Sequence, residues 1–119
     1  KMKKKYPEAR IIVHPECTPD VVSIADEVLS TGGMVKYAKK SKVKEIIIGT
    51  ETGIIYRLKK ENPKKEFYPA SLKSICSDMK LTNLTNILWA LEKMQYEVKI
   101  PKTIADKAKL ALEKMIKIT

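Results

Sequence analysis

His14-Pro15-Glu16-Cys17 places an imidazole, a carboxylate and a thiol side by side, directly after the apolar run Ile11-Ile12-Val13. His14 is the only histidine in the chain, and imidazole is a common general acid or base and metal ligand. Glu16 can act as a base, or hold a cationic or amine group of a substrate. A structural role is also open to each: His14 as a hydrogen-bonded framework residue, and Glu16 as a charge complementing the helix start that Thr18 opens. Cys17 reads as a small buried packing residue.

Two more polar stretches have the chemistry of anion binding. Ser30-Thr31-Gly32-Gly33 opens a helix, and Gly49-Thr50-Glu51-Thr52-Gly53 follows a second apolar run. Hydroxyls and free backbone N–H groups at helix starts hold carboxylate or phosphate oxygens, and glycines let the backbone come close. Each stretch taken alone also fits ordinary loop chemistry. Cys76, in Ser74-Ile75-Cys76-Ser77-Asp78, reads as buried if taken alone. One thiolate does not hold an iron–sulfur cluster and no CxxC spacing is present, so any cluster here needs cysteines from elsewhere.

These groups need a scaffold that brings them together. Residues 9–13 and 44–50 are β-branched runs without polar alternation, the pattern of strands buried on both faces of a parallel sheet, and 65–70 is a weaker third strand. Thr18 caps and Pro19 begins a helix with Val21, Val22, Ala25, Val28 and Leu29 at helical spacing, which should stop near Thr31-Gly32-Gly33. A second helix is predicted from about Gly33-Met34 to Lys40 and a third from Thr52 to Lys60, ended by Glu61-Asn62-Pro63. Asn83 to Lys93 carries Leu84, Ile87, Leu88, Leu91 and Met94 on one helical face. Residues 97–101 read as an edge strand or extended link, and 102–117 as a last amphipathic helix with Ile104, Ala108, Leu112 and Met115 inward. The order β-α-α-β-α-β-α-α predicts a three-layer α/β/α domain around a short parallel sheet with right-handed crossovers. Ligand sites in such sheets lie beyond the carboxyl ends of the strands, so the three polar clusters should meet on one rim.

With 119 residues the chain is expected to form a single α/β domain over 1–119. Hydrophobic residues make up 44% and charged residues 32%, and no apolar run approaches the ~20 residues of a membrane span. Lys1-Met2-Lys3-Lys4-Lys5 is followed by no apolar signal segment, which points to a cytoplasmic protein. A start at Lys1 rather than methionine reads as a fragment or processed piece. The net charge is +10, but the lysines are scattered in pairs and triplets (3–5, 39–40, 59–60, 64–65) with no basic stripe interleaved with aromatics. The expectation is a solvated Lys/Glu surface, with no nucleic-acid or membrane partner. Cys17 and Cys76 are far apart in sequence, so a disulfide framework is not expected.

Taken in order, IVHPEC, STGGM, IGTETG, RLKKENPKKEFYP, ICSDMK and QYEVKIP closely resemble the C-terminal third of the quinolinate synthase family, and the likeness spans essentially the whole chain. One departure is the Gly32-Gly33 pair after Ser30-Thr31, where the family usually has Ser-Thr-Ser followed by Gly or Gln before the methionine. The resemblance implies three similar α/β domains around a pseudo-threefold axis, each giving one cysteine to a [4Fe–4S] cluster at their junction. Cys76 matches the third of these and Cys17 matches none, so two further cysteines must come from outside this chain. The implied activity belongs to NAD biosynthesis: condensation of iminoaspartate with dihydroxyacetone phosphate to quinolinate, the cluster's unique iron acting as Lewis acid. His14 and Glu16 match active-site positions that contact substrate, Glu16 in proton transfer. Ser30, Thr31 and Thr50 match hydroxyls that hold substrate carboxylate or phosphate oxygens. On this reading the chain is incomplete as an enzyme and needs the remaining domains. A different class of function, a non-catalytic anion- or nucleotide-binding module using the same rim and the positive charge, is the alternative.

Overall fold

The computed structural model describes residues 1–118, which fall into two compact units, the first covering Lys1–Ser77 and the second beginning at Asp78. The first unit contains β1 (Arg10–Val13), β2 (Glu27–Val28), β3 (Glu45–Gly49) and β4 (Glu66–Pro69), with helices α1 (Met2–Lys5), α2 (Pro19–Ser23), α3 (Thr31–Lys40) and α4 (Ile54–Glu61). The protein is an α/β structure whose strands form one parallel sheet in the order β2-β1-β3-β4. Strand 65–70, the weakest of the three expected, is present as β4.

Alternation along the strands gives the sheet two apolar faces. Ile12, Ile46, Ile48 and Phe67 pack against Met34, Val35 and Ala38 of α3 and Leu58 of α4, all of them buried. Truncating Ile48 to alanine at the centre of this layer would cost about 2–5 kcal/mol. The opposite face carries Val13 and Ile47, also buried, and Tyr68, whose ring stacks on Tyr6 at 3.7 Å between centroids. Tyr6 ends α1, so the N-terminal segment lies on this second face. Polar bonds close the layer edges. Lys65 donates from Nζ to the carbonyls of Ala38 (2.6 Å) and Ser41, satisfying carbonyls at the C-terminus of α3 with a cation that suits the helix dipole. Lys39 of α3 and Arg57 of α4 both pair with Glu61 at 2.7 Å.

The helix predicted from Pro19 to the glycine pair is much shorter. α2 ends at Ser23, and Glu27–Val28 instead extends the sheet as an edge strand paired with Ile12 and Val13. The cause is Asp26. Its carboxylate accepts from the N–H of Ile11 (2.7 Å) and from Arg10 (2.6 Å), while its own N–H donates to the Ile11 carbonyl (2.8 Å). The Ile11 N–H, with help from Arg10, holds the Asp26 carboxyl below its usual range. These bonds outweigh the marginal propensity of a short helix that carries the β-branched pair Val21-Val22. α3 starts at Thr31, two residues before the glycine expected to open it, because Ser30 caps it by accepting from the N–H of Gly33 (3.2 Å).

In the second unit α6 (Leu84–Lys93) is capped by Asn83, whose side chain accepts from the N–H of Asn86 (2.9 Å). It is preceded by the short α5 (Ser77–Leu81), which starts one residue before the unit boundary, and followed by α7 (Lys102–Ile118). Met94 and Tyr96 have positive φ (49° and 65°), which turns the chain after α6, and residues 97–101 form no strand. Among the described residues no helix is long and apolar enough to cross a membrane.

Candidate functional site

The ladder runs one residue past each strand. His14 N–H donates to the Gly49 carbonyl (3.0 Å), Leu29 N–H to the Val13 carbonyl (2.9 Å) and Ala70 N–H to the Ile48 carbonyl (2.8 Å). Ser30, His14, Thr50 and Ser71 therefore follow the ends of β2, β1, β3 and β4 in sheet order, along one carboxyl rim. In parallel sheets this edge is where ligands sit, because the loops there diverge from a rigid base.

The His14–Cys17 segment is a turn closed by Cys17 N–H donating to the His14 carbonyl (3.0 Å). The Gly49 carbonyl anchors it twice, accepting from His14 N–H and from the Cys17 thiol (3.3 Å). No side chain fits at Gly49: an added Cβ would stand 2.7 Å from Cγ1 of Val13. The turn presents Glu16 to solvent, its side chain 89% exposed, and keeps the His14 ring at 23%. Nδ1 of His14 faces both the N–H of Glu16 (3.4 Å) and its carboxylate (3.5 Å).

Beyond the ends of β3 and β4 the rim deepens into a cavity of about 540 Å³. Thr50 and Cys76 line it, with Cys17 and Lys73. Thr52 N–H donates to the Ser74 carbonyl (2.9 Å), and this bond ties the loop after β3 to the loop after β4 and carries Cys76 to the cavity wall. Both cysteines are free and half-buried. Cys17 therefore does not face the apolar core as expected, because its thiol is drawn to the Gly49 carbonyl at the strand end. His14, Glu16, Ser30 and Thr31 lie outside the cavity lining. Ser30 is used as the α3 cap, and Thr31 is exposed in the first turn of that helix.

Comparison with known proteins gives this rim a family. Residues 1–117 match the family described as quinolinate synthetase A protein. The chain belongs to the quinolinate synthetase A family. Its relatives include proteins named quinolinate synthase from Dehalococcoides mccartyi, 53% identical over 98% of this chain, and from Thermodesulfovibrio yellowstonii, 52% identical over 96%. A third, from the archaeon Methanosarcina barkeri, is 47% identical over 99%. The chain spans about 39% of the length of the D. mccartyi and M. barkeri relatives and 38% of the T. yellowstonii one.

Family motifs drew attention to six positions, and the cavity adds others that they did not. Lys73, Ser71 and Ser74 sit in the loop after β4 and line the same space as Cys76. Their signal in the sequence was positional only: they follow the weakest predicted strand, so their place on the rim depended on that strand being real.

Proposed function

We propose that this chain is the C-terminal α/β part of a quinolinate synthase, an enzyme of NAD biosynthesis that condenses iminoaspartate with dihydroxyacetone phosphate. The products are quinolinate, inorganic phosphate and two waters. The observation that carries this reading is the meeting of Thr50 and Cys76 on one cavity at the carboxyl rim that also holds His14 and Ser30, in a chain of this family.

Each residue has work it can do there. Glu16, exposed at the apex of its turn, takes or returns a proton on the substrate side of the rim. In the neutral His14 ring, accepting at Nδ1 leaves the proton on Nε2, which can donate to a substrate oxygen. The hydroxyls of Ser30, Thr31 and Thr50 can each donate a hydrogen bond to a carboxylate or phosphate oxygen.

The family implies a [4Fe–4S] cluster, and the donor set fits one corner of it. Cys76 is a free thiol beside a cavity, while among the described residues no three of His, Cys, Asp and Glu gather where they could hold a metal ion. Two cysteines would come from the remaining domains of the enzyme. When bound, the cluster supplies Lewis acidity toward a substrate oxygen. The chain alone is then inactive. Co-production with the missing domains should give a brown, oxygen-sensitive protein that forms quinolinate from the two substrates; an assembly that acquires the cluster and forms none overturns the reading.

A further inference from the structure

We propose that Lys73 is the phosphate anchor of this site, a binding residue for the phosphorylated substrate. The inference rests on the function proposed above and names a residue that the family motifs do not single out.

Lys73 is the one cation among the residues that line the 540 Å³ cavity. Lys73 is exposed, and among the described residues it, like most lysines of the chain, forms no ion pair. Its backbone is fixed: Lys73 N–H donates to Ser71 Oγ (3.1 Å), its carbonyl accepts from Ile75 N–H (2.8 Å), and the next carbonyl holds Thr52 N–H. The ammonium is thus carried on a loop pinned to the end of β3, and only its flexible stem has to be ordered by a ligand.

Three hydroxyl residues line the same cavity. Ser71 Oγ uses a lone pair on Lys73 N–H, which leaves its own hydrogen to donate outward. Thr50 and Ser74 also line the cavity, and their side chains make no hydrogen bond among the described residues. A compact ammonium with several hydroxyl donors suits a tetrahedral dianion. A planar carboxylate is better matched by a guanidinium fork, and no arginine lines the cavity. The one carboxylate in the wall, Glu51, accepts from Gly53 N–H (2.7 Å). Cys76 lines the same cavity as Lys73.

The test uses the complete enzyme that contains this chain. Lys73→Gln should raise KM for dihydroxyacetone phosphate about ten- to hundredfold, the value of a lost charged hydrogen bond. It should leave kcat and KM for iminoaspartate within about twofold, and Lys73→Arg should recover most of the affinity. Independently of turnover, calorimetric titration of the cluster-free enzyme with inorganic phosphate should show weakened binding in Lys73→Gln. Unchanged KM and unchanged phosphate affinity in Lys73→Gln overturn the proposal, as does an effect confined to iminoaspartate. If the wild-type enzyme makes no quinolinate, the functional reading fails instead, and the phosphate titration still decides the role of Lys73.

Discussion

Glu16 offers His14 two partners at one nitrogen: its backbone N–H lies 3.4 Å from Nδ1 and its carboxylate 3.5 Å from the same atom. The two are mutually exclusive. A neutral ring accepts from the N–H, whereas a protonated ring turns Nδ1 into a donor toward the carboxylate. Both distances are long for a full bond, so the exposed carboxylate remains open to a substrate.

Glu16→Gln removes the carboxylate's basicity and keeps its shape. Turnover by the complete enzyme should fall by about 10²–10⁴, the usual share of a positioned acid–base group. With the side chain 89% exposed, the urea midpoint and the cluster's visible absorbance should not move. Turnover at the wild-type rate in this variant would remove Glu16 from the mechanism.

Two thiols, Cys17 and Cys76, line one cavity, and only Cys76 is proposed above as a cluster ligand. In the complete enzyme Cys76→Ser should lose the brown colour and bound iron. Cys17→Ser should retain both, because its hydroxyl can still donate to the Gly49 carbonyl that Cys17 now holds. Iron retained in Cys76→Ser, measured by metal analysis, would show that the ligand lies elsewhere.

Strong local signals were legible in the sequence. The β-branched runs gave β1 and β3, because a strand buried on both faces admits no polar residues, and the rim followed from their being parallel. β2 was not legible: Glu27 and Val28 carry no strand pattern, and their place is set by Asp26 reaching Ile11 across the fold. The orientation of Cys17 was hidden for a similar reason, since the Gly49 carbonyl that captures its thiol lies 32 residues away. α1 was also missed, as four residues held by a tyrosine stack have no periodicity to read.

The same substitution should act in opposite directions at two glycines. Gly49→Ala forces a Cβ to 2.7 Å from Val13, a buried side chain with no room to yield, and should destabilise by about 1–3 kcal/mol. At Gly32, inside the first turn of α3, an added Cβ meets nothing within 4 Å and φ is not positive. Gly32→Ala should therefore stabilise by about 0.5–1 kcal/mol through helix propensity. Urea unfolding of the two variants beside the wild type checks both signs.

Acid should act on the link between α3 and α4. The guanidinium of Arg57, then the ammonium of Lys39, hold the Glu61 carboxyl at about 2, down from 4.5. Because the folded value is the lower one, the ion pairs contribute stability that is complete above pH 4.5 and is lost as pH falls through 2. In that window the wild type should bind protons on unfolding and its melting temperature should drop, whereas Glu61→Gln, already without the charge, should show a flatter curve. The two curves should lie apart at neutral pH and converge in strong acid. Salt should narrow the gap at neutral pH, since Lys39 and Arg57 are more than half exposed. Parallel curves across the whole range would mean that the Glu61 carboxylate contributes nothing to holding the two helices together.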